Sequence, residues 1–108
     1  MTARDTSASE HADSRILAHP GEVLREEFLV PLGLSPQDLA QALRVPATRI
    51  NDIVRGRGAV TADTALRLAR YLGTTPEFWL EFQVAHDLSK ARVESGEEID
   101  RLVEPRKA

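Results

Sequence analysis

Apolar residues in this chain recur three or four positions apart, in short runs separated by proline, glycine and small hydroxyl residues. In "HPGEVLREEFLVPLG" the stripe is Val23, Leu24, Phe28 and Leu29, and Pro31 is expected to end the helix, because proline disfavours helical backbone at the residue before it. "SPQDLAQAL" opens with Ser35 as N-cap, Pro36 at the first helical position and Asp38 as an acidic capping box, with Leu39, Ala40 and Leu43 facing inward. "ATRINDIVR", held between Pro46 and Gly56, places Ile50, Ile53 and Val54 on one face. "TADTALRLARYLG" has Thr61 as N-cap, Asp63 in its first turn and Gly73 as its stop. Ala65, Leu66, Ala69 and Leu72 are expected to form its stripe, and Leu68 to be buried on a second side. In the segment from Thr75 to Arg92, Thr75 caps and Pro76 opens; Phe78, Phe82 and Ala85 form one face and Leu80, Val84 and Leu88 another. No segment alternates with period two for long enough to be a strand. The expected fold class is all-α: five short helices over 16–93, a flexible tail over 1–15, and an extension over 94–108 with a further short helix around Ile99 to Val103.

Two of these helices form a unit. Ser35 to Leu43 and Ala47 to Arg55 are joined by the tight connection "RVP", the arrangement of a helix-turn-helix. The second helix of such a pair lies in the DNA major groove. Its inner side needs only enough apolar area to dock on Leu39, Leu43 and Val45. Its outer side carries Thr48, Asn51, Asp52 and Arg55, with Arg49 at the edge; these side chains offer neutral and charged hydrogen-bonding groups to bases and phosphates.

Charge distribution sharpens this picture. The net charge of −3 over 108 residues argues weakly against a nucleic-acid partner. Yet residues 35–73 hold 6 arginines, Arg57 among them, against 3 aspartates. Residues 1–34 and 74–108 each carry −3. The basic middle coincides with the paired helices, as a phosphate footprint requires; a solvated helical surface is the competing account.

Hydrophobic residues make up 42% and charged residues 29%, ordinary for a globular domain. Cysteine is absent, which removes disulfides, thiolate metal sites and a cysteine nucleophile, and fits a cytoplasmic protein. No apolar run approaches the ~18 residues of a membrane span, and "MTARDTSASEHADS" lacks the apolar core of a signal peptide. His11, His19 and His86 lack metal-ligand spacing, so neither a metal nor a cofactor is expected. The neighbours Glu26 and Glu27, like Glu97 and Glu98, point about 100° apart on a helix and form no carboxylate dyad. No Ser-His-Asp grouping or phosphate-cradling glycine loop appears, and the sequence points away from an enzyme.

The segment from His19 to Leu88 resembles the HigA antitoxin family, also called the VapI type, of helix-turn-helix proteins with the λ-repressor-like fold. The most specific residues are His19-Pro20-Gly21-Glu22, Arg49-Ile50-Asn51 with Ile53, Thr61-Ala62-Asp63-Thr64-Ala65, and Glu77-Phe78-Trp79. The resemblance implies a dimeric operator-binding repressor that also neutralises a HigB-like, mRNA-cleaving toxin. It implies base contacts from Ala47, Thr48 and Arg49, with Asp52 one turn on, and a phosphate contact from Arg55. The start of the second helix often touches phosphate in this fold; Pro36 has no donor here, so Gln37 or the backbone must serve. Arg44 stands where the connection usually has glycine. A left-handed backbone there would cost on the order of 1 kcal/mol, and the side chain is placed to reach phosphate.

For the toxin, charge complementarity singles out Glu22, Glu26 and Glu27, with the acidic tail from Glu94 to Glu104 as the alternative. The last strong helix has more apolar surface than one core face uses. Trp79, beside Gln83 and His86, is therefore read with Leu80, Val84 and Leu88 as a partner face that includes the homodimer contact; packing against the Ile99–Val103 segment is the alternative for Trp79. Two other functions stay open: a solitary helix-turn-helix regulator without a toxin, and a protein-interaction module with a degenerate DNA face.

Overall fold

The computed structural model describes residues 15–107, so the expected tail over 1–15 lies almost wholly outside the described residues. Every regular element among them is a helix. His19 starts the first: its Nδ1 accepts the Gly21 N–H at 2.8 Å, and Pro20 fills the first turn of Pro20–Leu24 (α1). The helix continues through a π-helical segment, Arg25–Leu29, into a last α turn, Val30–Leu32 (α2). Pro31 therefore does not end it. The π turn lets the Val30 N–H reach back to the Arg25 carbonyl, and this wider register moves the carbonyl below the proline ring out of its way. The stop is Gly33, in the left-handed conformation at φ 67°.

Ser35 then caps Pro36–Leu43 (α3) with the full capping box: its Oγ accepts the Asp38 N–H at 3.0 Å while Asp38 accepts the Ser35 N–H. Leu39, Ala40 and Leu43 are buried. After the turn at Arg44, Ala47–Val54 (α4) docks through Ile50 and Ile53, both essentially fully buried. Thr61 caps Ala62–Leu72 (α5), which ends at left-handed Gly73. Its buried stripe is Ala65, Leu68 and Ala69, with Leu72 partly buried. Leu66, expected inside, is exposed: it lies about 100° from Ala65, outside the i, i+3, i+4, i+7 arc that meets the core.

Thr75 caps the last helix, Pro76–Leu102 (α6), which has 27 residues. The further short helix expected around Ile99 to Val103 is the end of α6, with no break before it. Trp79 corrects a further expectation. It is fully buried, not part of a partner face, and its Nε1–H donates to Thr74 Oγ1 at 2.7 Å. The cause is that α6 is wedged between the first helix and α5, so its inward arc centres on Trp79 and Gln83. Phe28 and Phe78 pack on Trp79 with ring centroids 5.3 and 5.0 Å away. Gln83, also buried, accepts the Val60 N–H at 2.7 Å and so ties the loop after α4 to α6. The chain before α1 lies along α6 as well: Ser89 Oγ accepts the Leu17 N–H, and His86 Nδ1 meets the Leu17 carbonyl at 2.7 Å.

Candidate nucleic-acid interface

The interface is set by how α4 is held. Its core side rests on α3 and α1. The approach to α1 is close: a β-carbon on Gly21 would stand 2.6 Å from the Ile53 carbonyl carbon and nearer still to its oxygen. The His-Pro-Gly run thus has two local jobs, a helix cap and a contact that only glycine permits. At the same end of α4, Arg25 donates to the Val54 carbonyl at 3.4 Å.

With Ile50 and Ile53 inside, Thr48, Arg49, Asp52 and Arg55 are exposed, and Ala47 and Asn51 are half-buried. Gln37 on α3, Arg44 in the turn and Arg57 after α4 are exposed as well. All nine residues expected to contact DNA are therefore solvent-accessible, and those of α4 follow the expected amphipathic division. Arg44 has φ 62° and ψ 47°, the left-handed conformation expected for this connection. Asp52 is engaged within the protein: its carboxylate lies 3.8 Å from the Arg57 guanidinium, and its carbonyl accepts the Arg57 and Gly58 N–H groups. Unlike α3, α5 and α6, α4 begins without a side-chain cap.

Two residues that sequence reasoning missed shape this face. Arg67 on α5 donates through NH1 to the Leu43 carbonyl at 2.8 Å and to the Arg44 carbonyl at 3.4 Å, fastening the helix-turn-helix connection. Its Nε donates to Asp63 Oδ2 at 2.9 Å, and the same oxygen lies 3.4 Å from Arg49 NH1. The i, i+4 spacing of Asp63 and Arg67 was visible in the sequence; their reach to residues 14 and 24 positions away was not.

Of the expected partner residues, Glu22, Glu26, Glu27, Val84 and Leu88 are exposed, Leu80 is half-buried and packed against the core, and Trp79 is inside. Glu26 is paired with Arg25 at 3.0 Å. Folding brings His19 and His86 together, with ring centroids 4.9 Å apart; His11 lies outside the described residues. Burial lowers the His19 imidazole pKa below the usual histidine value, and the His86 ring pushes it the same way. Among the described residues no group of three or more potential ligands could hold a metal ion, and no helix is long and apolar enough to cross a membrane.

A family model described as helix-turn-helix matches residues 24–79. Virulence-associated protein I of Dichelobacter nodosus is 58% identical over 73 residues, 68% of each chain. Antitoxin HigA-1 of Vibrio cholerae is 42% identical over 85 residues, 79% of each chain. This chain belongs to the HigA family of helix-turn-helix antitoxins. The solved structure of the Pseudomonas aeruginosa antitoxin HigA with the higBA promoter matches it with a TM-score of 0.81 at 43% identity, covering 86% of this chain and all of that one. In this chain the α3–α4 pair is held by the surrounding α1, α5 and α6.

Proposed function

We propose that this chain is a HigA-type antitoxin that binds operator DNA as a homodimer, represses transcription there, and neutralises an mRNA-cleaving toxin without chemistry of its own. The observation that carries the DNA reading is the outward face of α4. Thr48, Arg49 and Arg55 are exposed on a helix whose other side is fixed by Ile50 and Ile53, and Arg44 and Arg57 flank it. Thr48, Arg49 and Asn51 read base edges, while Arg44, Gln37, Arg55 and Arg57 serve the phosphates. The work is cytoplasmic.

The same reading assigns a second surface. A ribonuclease must hold RNA phosphates and is therefore basic. Glu22, Glu26 and Glu27 on the first helix offer it an acidic surface while the arginines stay on DNA, with the Glu94–Glu104 segment as the competing contact. The dimer forms through the outer face of α6.

The deciding measurement is equilibrium binding to DNA from upstream of the chain's own gene at several salt concentrations. Arg49→Ala loses about 1–3 kcal/mol on the cognate duplex, the worth of a bidentate guanine pair. Arg55→Ala weakens all duplexes evenly and flattens the salt dependence. Equal affinity for the wild type and the double variant overturns the DNA reading. For the toxin, co-expression with the product of the neighbouring reading frame should rescue growth. Rescue that survives charge reversal at all three glutamates moves the contact to the acidic end of α6; no complex with that product leaves a solitary repressor.

A further inference from the structure

The path from the helix-turn-helix connection to Arg49 runs through one carboxylate. Arg67 NH1 is anchored on the Leu43 carbonyl at 2.8 Å, and its Nε holds Asp63 Oδ2 at 2.9 Å. That oxygen takes Arg49 NH1 at 3.4 Å. The backbone that fixes the angle between α3 and α4 is thereby connected, through two side chains of α5, to the guanidinium at the third position of α4. We infer that Asp63 is a positioning residue for base readout: it holds Arg49 in the orientation that pairs with a guanine in the major groove.

The chemistry of the arginine head allows this. A guanidinium carries five N–H donors in a planar fork. One NH1 hydrogen on Asp63 leaves the NH2 pair, the second NH1 hydrogen and Nε–H, enough for two parallel bonds to guanine O6 and N7. An unrestrained arginine loses rotamer freedom when it makes that pair; one already held loses less. Arg49 and Asp63 side chains are 42% and 59% exposed, so the contact is open to an incoming duplex and is not sealed in the core. The group of Arg49, Asp63 and Arg67 keeps one net positive charge, so the carboxylate does not repel the phosphates as a lone acid would.

This inference rests on the DNA-binding reading and is tested separately from it. The full-length chain is titrated with its upstream duplex and with a set of duplexes carrying single base-pair changes. Asp63→Asn keeps the shape and removes the charge; Asp63→Ser is the second variant, should the first fail to fold. The expected result is loss of discrimination at one guanine position per half-site, by about 5-fold or more, the lower end of what a bidentate pair supplies. It should be the position that Arg49→Ala relaxes, and the Asp63→Asn/Arg49→Ala double variant should discriminate no worse there than Arg49→Ala alone. Undiminished discrimination in the Asp63 variants overturns the inference. So does tighter binding to every duplex with preference intact, which would make Asp63 a counter-ion that DNA displaces. Equal weakening at all positions, with a lowered melting temperature, would make it a structural strut and overturn it too. A wild type that does not distinguish its upstream duplex from scrambled DNA overturns the DNA reading, and this inference with it.

Discussion

Gly21 stands where α1 meets the carbonyl end of α4, and the Ile53 backbone occupies the place of a β-carbon. Gly21→Ala cannot be absorbed by a side-chain rotation, because the obstacle is main chain. It should cost at least the roughly 1–3 kcal/mol of an overpacked core site, read from urea unfolding, and it should disturb α4 more than α5. Its neighbour His19 ties stability to pH. Capping the Gly21 N–H through Nδ1 requires that nitrogen to be unprotonated. Burial, and then the positive potential of His86, lower the His19 pKa; Lys90 acts the same way, while the Gly58 backbone and Asp87 oppose. The folded pKa therefore lies below the unfolded value near 6.5, and below that pH the unfolded chain binds more protons. Stability from His19 is fully present above about pH 6.5 and falls as pH drops toward the lowered folded value. Melting curves from pH 8 to 5 should show this loss in the wild type; in His19→Asn, which caps without titrating, it should shrink. Parallel curves for the two proteins would remove His19 from the account.

The helix-turn-helix connection places function against stability within one element. Arg44 adopts φ 62°, a conformation that costs an L-residue on the order of 1 kcal/mol, while its side chain is exposed beside α4. Arg44→Gly should raise unfolding stability by roughly 1 kcal/mol, since it removes strain, and, on the DNA reading proposed above, lower affinity for all DNA sequences alike, since it removes an exposed positive charge. A variant that gains stability and keeps full affinity would show that the arginine does nothing for DNA. At this scale the difference between what the sequence reveals and what it hides has a physical pattern. The caps at Ser35, Thr61 and Thr75 and the stop at Gly73 were legible, because each acts on backbone three or four residues away. The outward set on α4 was legible because helical period alone separates Ile50 and Ile53 from Thr48, Arg49, Asp52 and Arg55. Pro31 was misread because the π-helical segment just before it, Arg25–Leu29, accommodates it, and no residue there announces that turn. Trp79 and Leu66 were misread because their burial depends on which neighbours flank α6 and α5. Arg67 went unassigned because its carbonyl partners are 23 and 24 residues away.

Over the whole molecule, α6 is the element that exceeds what the domain's own core needs. Its 27 residues span roughly 40 Å, and its last buried residue is Ser89. Val84, Leu88, Ala91, Ser95, Ile99 and Leu102 follow one another at an average of 3.6 residues and share a face. The four large members are 55, 48, 51 and 66% exposed, in that order. The stripe suits a second copy of itself. An antiparallel partner crossing near residues 93 and 94 brings Leu88 opposite Ile99, and the small Ala91 and Ser95 let the backbones approach. A two-fold pair built this way presents two copies of α4, and DNA sites for such pairs are near-palindromes with half-sites about one helical turn, or a multiple, apart. Leu88→Glu/Ile99→Glu should therefore convert a dimer into a monomer in sedimentation at high micromolar concentration. Both positions are exposed in the single chain, so the helical content and the monomer's folding should change little, within about 0.5 kcal/mol per site. Operator affinity should fall steeply, because each half-site is then bound alone, while weak binding to unrelated DNA persists. A double variant that still sediments as a dimer would move the contact off this face of α6.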